Sequence, residues 1–158
     1  MIRLAPNYSL GYTFLGACEE AKRRGDQTVG SEHLLLAVLA DPDALPAQAL
    51  GCDLRSARAA LDAMDEHALA TVGIDARVRP PLLPRPRLGR IRLTPSAKAV
   101  LQGSVKQAEK RRNMGPQHVL LALLERERPD PAAELFASLG VDVDAVRERL
   151  RAPDVRGR

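Results

Sequence analysis

The chain carries the stretch GSEHLLLAVL at residues 30–39 and a near-copy of it, GPQHVLLALL, at residues 115–124. The similarity extends outward, because residues 7–39 run parallel to residues 94–124. An internal repeat indicates architecture more directly than any single motif, since each copy is expected to form the same structural unit. The sequence therefore predicts two copies of one unit.

The repeat divides the chain into three parts within a single predicted domain that covers residues 1–158. Repeat 1 is assigned to residues 7–66 and repeat 2 to residues 94–152, with a linker rich in proline and arginine at 67–93. Such a composition is typical of a surface connector and not of a core element. A mass of 17.2 kDa suits one small domain.

Each copy is expected to form four helices, which predicts an all-α fold of two four-helix repeats related by pseudo-two-fold symmetry. The first helix begins at Asn7 or Thr94, whose side-chain oxygen can accept a backbone N–H of the first turn. The second helix begins at Ser31 or Pro116, and its apolar residues lie almost all round, which indicates a central, buried helix. Short third helices are expected near Pro46 and Pro131, and fourth helices after Asp53 and Asp142.

Composition favours a helical core and leaves one alternative class of partner open. Aromatic residues make up only 3% of the chain, so leucine, alanine and valine must fill the core. The net charge is +4, but residues 77–92 alone hold six arginines and no acid. A basic linker of this kind is typical of a solvated connector. The alternative is a helical nucleic-acid-binding protein, for which steep salt dependence of binding would be the signature.

The cysteines and the apolar runs indicate a cytoplasmic protein. Cys18 and Cys52 align with Val105 and Val141 of the other copy, which predicts buried thiols without a redox or anchoring role. The stretch LGAC (15–18) is similar to a lipoprotein cleavage box, but the residues before it are too polar for an export signal. No apolar run approaches the roughly 18 residues that span a membrane.

The repeated segments resemble the N-terminal (Clp repeat) domain of the Clp/Hsp100 unfoldases, in particular that of the ClpC type. The resemblance implies an all-α domain that receives substrates, adaptors and certain peptide antibiotics, with neither enzymatic activity nor a cofactor. The unfoldases continue into ATPase modules with a G-x-x-x-x-G-K-[ST] loop. This sequence contains no Gly-Lys pair, which predicts a stand-alone copy of the domain. The matching segments are EEAKRRG (19–25), GSEHLLLAVL (30–39), LTPSAKAVL (93–101) and GPQHVLLALL (115–124).

The resemblance also implies a site for phosphorylated arginine in each copy. Glu32 matches the carboxylate that faces the guanidinium, while Thr94 and Lys98 match the phosphate side at a helix N-terminus. The other copy has Gln117 and Asn7 instead, so at most one competent site is expected. The alternative for Glu32 is a first-turn acid that stabilises the helix N-terminus.

The recurring His33 and His118 suggest either a metal site or the same packing solution used twice. We expect the second, with each imidazole bonded to a neighbouring backbone group, because no carboxylate or thiol follows at i+4 to complete a ligand pair. No metal is therefore expected.

The preferred function is a non-catalytic module that binds proteins or peptides. The sequence has no G-x-S-x-G elbow, no recognisable pair of catalytic carboxylates and no glycine-rich cofactor loop. Its expected partners are degradation substrates and adaptors, or a Clp unfoldase whose proteolysis it would modulate by competing for the same ligands. An alternative is a decoy that sequesters a toxic peptide or antibiotic in a groove near Tyr8, Tyr12 and Ile91.

Overall fold

The computed structural model describes residues 10–74, 92–109 and 115–151. Over these ranges the chain forms eight helices and two short strands, which confirms the all-α fold with two four-helix repeats. None of these helices is long and apolar enough to cross a membrane. The elements are α1 (Leu10–Arg24), β1 (Thr28–Val29), α2 (Ser31–Val38), α3 (Leu45–Leu50), α4 (Leu54–Thr71), β2 (Arg92–Leu93), α5 (Pro95–Glu109), α6 (Pro116–Leu124), α7 (Pro131–Ser138) and α8 (Val143–Arg151).

The helices begin where the local sequence signals place them. Helices α2 and α6 start at Ser31 and Pro116, and α7 starts at Pro131, as predicted. The fourth helix of each repeat is capped by an aspartate whose carboxylate accepts a first-turn backbone N–H. These bonds run from the Ser56 amide to Asp53 Oδ1 (2.7 Å) and from the Ala145 amide to Asp142 Oδ1 (3.2 Å).

The core is built around α2 and α6 and is continuous across both repeats. Helix α2 packs against α6 and α7 of the other repeat as well as against α1, so the two copies share one apolar interior. This confirms the prediction of a central helix in each copy. The fully buried side chains of the two helices include Leu34, Leu35, Leu36, Val119, Leu120 and Leu123.

A short parallel pair of strands joins the repeats, and the sequence gives no sign of it. Thr28 of β1 pairs with Arg92 of β2, and Val29 pairs with Leu93. The backbone N–H of Thr94 then donates to the carbonyl of Val29 at 3.0 Å. Because α2 and α5 each begin directly after these strands, their N-termini lie side by side.

The predicted linker is shorter than its assigned range of 67–93. Helix α4 continues to Thr71, and Arg92–Leu93 form β2, so both ends of the range belong to regular structure. Residues 75–91, which hold most of the prolines and arginines of the predicted linker, lie outside the described residues. The nucleic-acid alternative, which depends on that segment, therefore stays a prediction.

The two cysteines differ in burial. Cys18 is buried in the core, as predicted, whereas Cys52 is only half-buried because it lies in the turn between α3 and α4. Burial raises the pKa of both thiols. A raised pKa leaves little reactive thiolate, which agrees with a packing role for Cys18.

Candidate binding site at two helix N-termini

The strand pairing places the starts of α2 and α5 next to each other, and these two helix starts carry the three residues that the sequence assigns to one site. We call this set the Glu32 site (Glu32, Thr94 and Lys98). Glu32 lies in the first turn of α2, while Thr94 immediately precedes α5. Lys98 completes the first turn of α5, where its amide donates to the carbonyl of Thr94 at 3.0 Å, and its side chain is exposed. The Glu32 site therefore combines one carboxylate, one hydroxyl and one ammonium group beside two helix N-termini.

Thr94 is the N-cap of α5, as predicted. Its Oγ1 accepts a hydrogen bond from the amide of Ala97 at 3.1 Å. The first N–H groups of a helix have no partner within the helix, and they carry the positive end of its dipole. The start of α5 is therefore suited to an anion such as a phosphate.

The Glu32 carboxylate folds back over the backbone of Gly30. A Cβ atom added to Gly30 would lie 2.2 Å from Glu32 Oε2, so the carboxylate occupies the space that any other residue at position 30 would fill. Oε2 is buried and has no hydrogen-bond partner among the described residues, while Oε1 lies 3.6 Å from His33 Nδ1. A buried carboxylate oxygen without a partner is costly. The Glu32 side chain as a whole is 20% exposed, so a guanidinium donor could approach the carboxylate from its exposed side.

The second copy places Gln117 in the same way but without the charge. A Cβ atom on Gly115 would lie 2.4 Å from Gln117 Oε1, so the amide folds over the backbone as the Glu32 carboxylate does. Asn7, the predicted cap of α1, lies outside the described residues. The structure thus places Gln117, and the capping role of Asn7 stays a prediction.

The two histidines make the same hydrogen bond to a neighbouring backbone group in both copies, as predicted. The amide of Gly30 donates to His33 Nδ1 at 2.9 Å, and the amide of Gly115 donates to His118 Nδ1 at 2.9 Å. Because Nδ1 of His33 accepts, its proton is on Nε2, which donates to Asp26 Oδ2 at 2.8 Å. This bond is the main cause that lowers the pKa of Asp26.

No metal centre is formed within the described ranges. There, no three histidine, cysteine, aspartate or glutamate side chains are grouped so that they could hold an ion. His33 instead uses both ring nitrogens for hydrogen bonds within the fold.

Comparison with known proteins identifies the family. The family model of the Clp repeat (R) N-terminal domain matches residues 10–111 and 92–154. The chain belongs to this family. Its curated relatives include the ATP-binding subunit ClpC of the ATP-dependent Clp protease from Staphylococcus aureus (strain USA300) and from Staphylococcus epidermidis. Each is 29% identical over 136 residues, which is 85% of this chain and 15% of the relative.

Solved structures show the same fold. The N-terminal domain of the ClpD chaperone from Arabidopsis thaliana matches with a TM-score of 0.65 at 16% identity, over 95% of this chain and 96% of that domain. The Hsp104 N-terminal domain from Candida albicans matches with a TM-score of 0.57 at 22% identity, over 94% and 89%. At these identities the likeness concerns the fold alone.

Next to the site, an ionic network joins α1 to α4 of this Clp repeat domain. The Arg24 guanidinium contacts Asp26 (Nε to Oδ2, 3.2 Å), Asp62 (Nη1 to Oδ1, 2.5 Å) and Asp65. Because Asp26 also accepts from His33, the network reaches the first turn of α2. Sequence analysis did not detect it, since Asp62 and Asp65 lie far from Arg24 in the chain.

A second group that sequence analysis missed surrounds Asp130, the N-cap of α7. Its side chain is only 9% exposed, and Oδ1 accepts from the Ala132 amide (2.9 Å) and from Ser31 Oγ (2.6 Å). Oδ2 accepts from Ser96 Oγ and lies 3.7 Å from Arg126 Nε. An aspartate directly before the predicted start at Pro131 was a local signal for the cap, but not for the contacts with α2 and α5.

Proposed function

We propose that the chain is a non-catalytic module that binds proteins or peptides through the Glu32 site, and that the ligand group is a phosphorylated arginine side chain. Membership of the Clp repeat family supports the binding role, since in the Clp unfoldases this domain receives substrates and adaptors. The chain spans about 15% of the length of the ClpC relatives. A role in modulating Clp-dependent proteolysis, by competition for the same ligands, is part of this proposal.

One observation carries the proposal: Glu32, whose Oε2 is buried without a hydrogen-bond partner among the described residues, lies in the first turn of α2. The strand pair places the start of that helix next to the start of α5, which Thr94 caps. A guanidinium can donate to this carboxylate in a charge-assisted bond. The phosphate on the same side chain would then meet the Ser96 N–H at the start of α5, the positive end of that helix dipole and the exposed ammonium of Lys98. The two halves of the ligand are complementary to the two halves of the Glu32 site.

The direct test is isothermal titration of the protein with free phosphoarginine. Glu32→Gln is expected to weaken binding by about tenfold or more, because a neutral amide replaces the charged partner of the guanidinium. The fold should tolerate this change, since Gln117 occupies the equivalent position in repeat 2.

Gln117→Ala is the matched control and is expected to leave the affinity unchanged. Absence of heat with the wild type at millimolar ligand would contradict the phosphoarginine proposal. Equal losses of affinity for phosphoarginine in Glu32→Gln and Gln117→Ala would contradict the assignment of binding to one site.

A further inference from the structure

The Asp130 carboxylate joins the first turns of three helices at one part-buried point. Ser31 is the first residue of α2, Ser96 lies in the first turn of α5, and Asp130 itself caps α7. Both serine hydroxyls donate to the same carboxylate, one to each oxygen. Side chains on the two helices that form the Glu32 site are thus bonded to one common acceptor.

We infer that Asp130 is a positioning residue for the Glu32 site: it holds the N-termini of α2 and α5 together and so sets the separation between Glu32 and Thr94. The two helices contact each other directly and are also tied by the strand pair, which has only two residues in each strand. So short a pairing is weak by itself. A part-buried, charge-assisted contact to both helices strengthens the junction where the ligand would bind.

The pseudo-symmetric position in the molecule lacks the bridging carboxylate and the hydroxyl at the start of its second helix. Pro116 takes the place of Ser31 at the start of α6, and it has no hydroxyl. Ala44 takes the place of Asp130 at the N-cap of α3, and it makes no side-chain capping bond. Gln117 replaces Glu32 in the same copy. The bridging carboxylate and the charged site residue therefore occur together, on one side of the molecule only.

Amide hydrogen exchange tests the inference without any ligand. The Thr94 amide donates across the junction to Val29, whereas the Ala57 amide donates within α4 to Asp53. In Asp130→Ala the exchange rate of Thr94, relative to that of Ala57, is expected to rise by about tenfold, because the junction opens locally. General destabilisation would accelerate both amides equally and leave the ratio unchanged.

Asp142→Ala provides the matched control, since the Asp142 carboxylate caps α8, where it accepts from the Ala145 amide. Its exchange ratio is expected to equal that of the wild type. An unchanged ratio in Asp130→Ala would overturn the inference.

A milder variant decides the question if Asp130→Ala fails to fold. Ser96→Ala removes one of the two hydroxyl contacts and is expected to raise the Thr94 ratio by about threefold. Ser104→Ala is its control, because the Ser104 hydroxyl on the same helix donates only to the carbonyl of Val100, at 2.7 Å. Equal ratios in these two variants would count against the positioning role.

The consequence for binding rests on the proposed function. With phosphoarginine as the probe, Asp130→Ala is expected to weaken affinity by about fivefold or more, since a loosened site loses its geometry. Unchanged affinity despite a raised exchange ratio would overturn the positioning role. If the wild type binds no phosphoarginine, the proposed function fails, and the exchange ratio still decides whether Asp130 holds the junction.

Discussion

Replacement of Leu120 by alanine is expected to lower the free energy of unfolding by about 2–5 kcal/mol. Leu120 is fully buried on α6, and α6 packs against helices of both repeats. The substitution removes apolar contacts and leaves a cavity that rigid neighbours fill only in part. Urea denaturation followed by circular dichroism measures the loss.

Leu45→Ala is the control for this prediction, because Leu45 is 45% exposed at the start of α3. It is expected to cost less than about 1 kcal/mol, since little apolar area returns to water. Similar losses at the two positions would contradict the placement of α6 at the centre of the core. Because the core is continuous, Leu120→Ala should also lower the stability of repeat 1, in a single transition.

Replacement of His33 by leucine is expected to lower the free energy of unfolding by about 2–3 kcal/mol, although leucine is apolar and similar in size. The imidazole accepts from the Gly30 amide and donates to Asp26, and leucine can do neither. A buried backbone N–H would then have no acceptor, which costs more than the bond itself contributes. Thermal unfolding measures the effect.

His67→Leu is the matched control, since His67 is exposed on α4. It is expected to change stability by less than about 0.5 kcal/mol, as surface substitutions usually do. If His33→Leu lowered the free energy of unfolding as little as His67→Leu, the two hydrogen bonds of the His33 imidazole would not stabilise the fold. That result would contradict the prediction.

Local signals in the sequence predicted most of the helical fold. The capping role of Thr94 depends on contacts within one turn. The hydrogen bond that each histidine accepts from the amide of the preceding glycine is equally local. The burial of α2 and α6 follows from their apolar residues alone. Because the sequence repeats, each helix predicted in one copy could also be predicted in the other.

Contacts between residues that are far apart in the chain could not be predicted from the sequence. Strands of two residues are too short to show alternating hydrophobicity, so β1 and β2 left no pattern. Ser31 and Asp130 meet across 99 positions, and nothing in their local surroundings indicates the contact. The site residues were therefore predicted one by one, while the junction that brings them together was not.

The position of the Glu32 carboxylate also required the structure. The sequence left Glu32 between a helix-stabilising acid and a ligand-binding carboxylate. In the structure Glu32 lies in the first turn of α2, and one carboxylate oxygen is buried without a hydrogen-bond partner among the described residues, so its ligand-binding role stays a prediction. The burial arises because glycine at position 30 leaves space for the carboxylate to fold back.

The most direct test of the central claim, one ligand site at the junction of α2 and α5, is a titration of the isotope-labelled protein with phosphoarginine followed by amide NMR. The account predicts progressive shifts for the amides of residues 30–33, 94 and 96–98, with no comparable shifts for those of residues 115, 117 and 118. Equal shifts at both sets of residues, or no shifts at the first set, would contradict it.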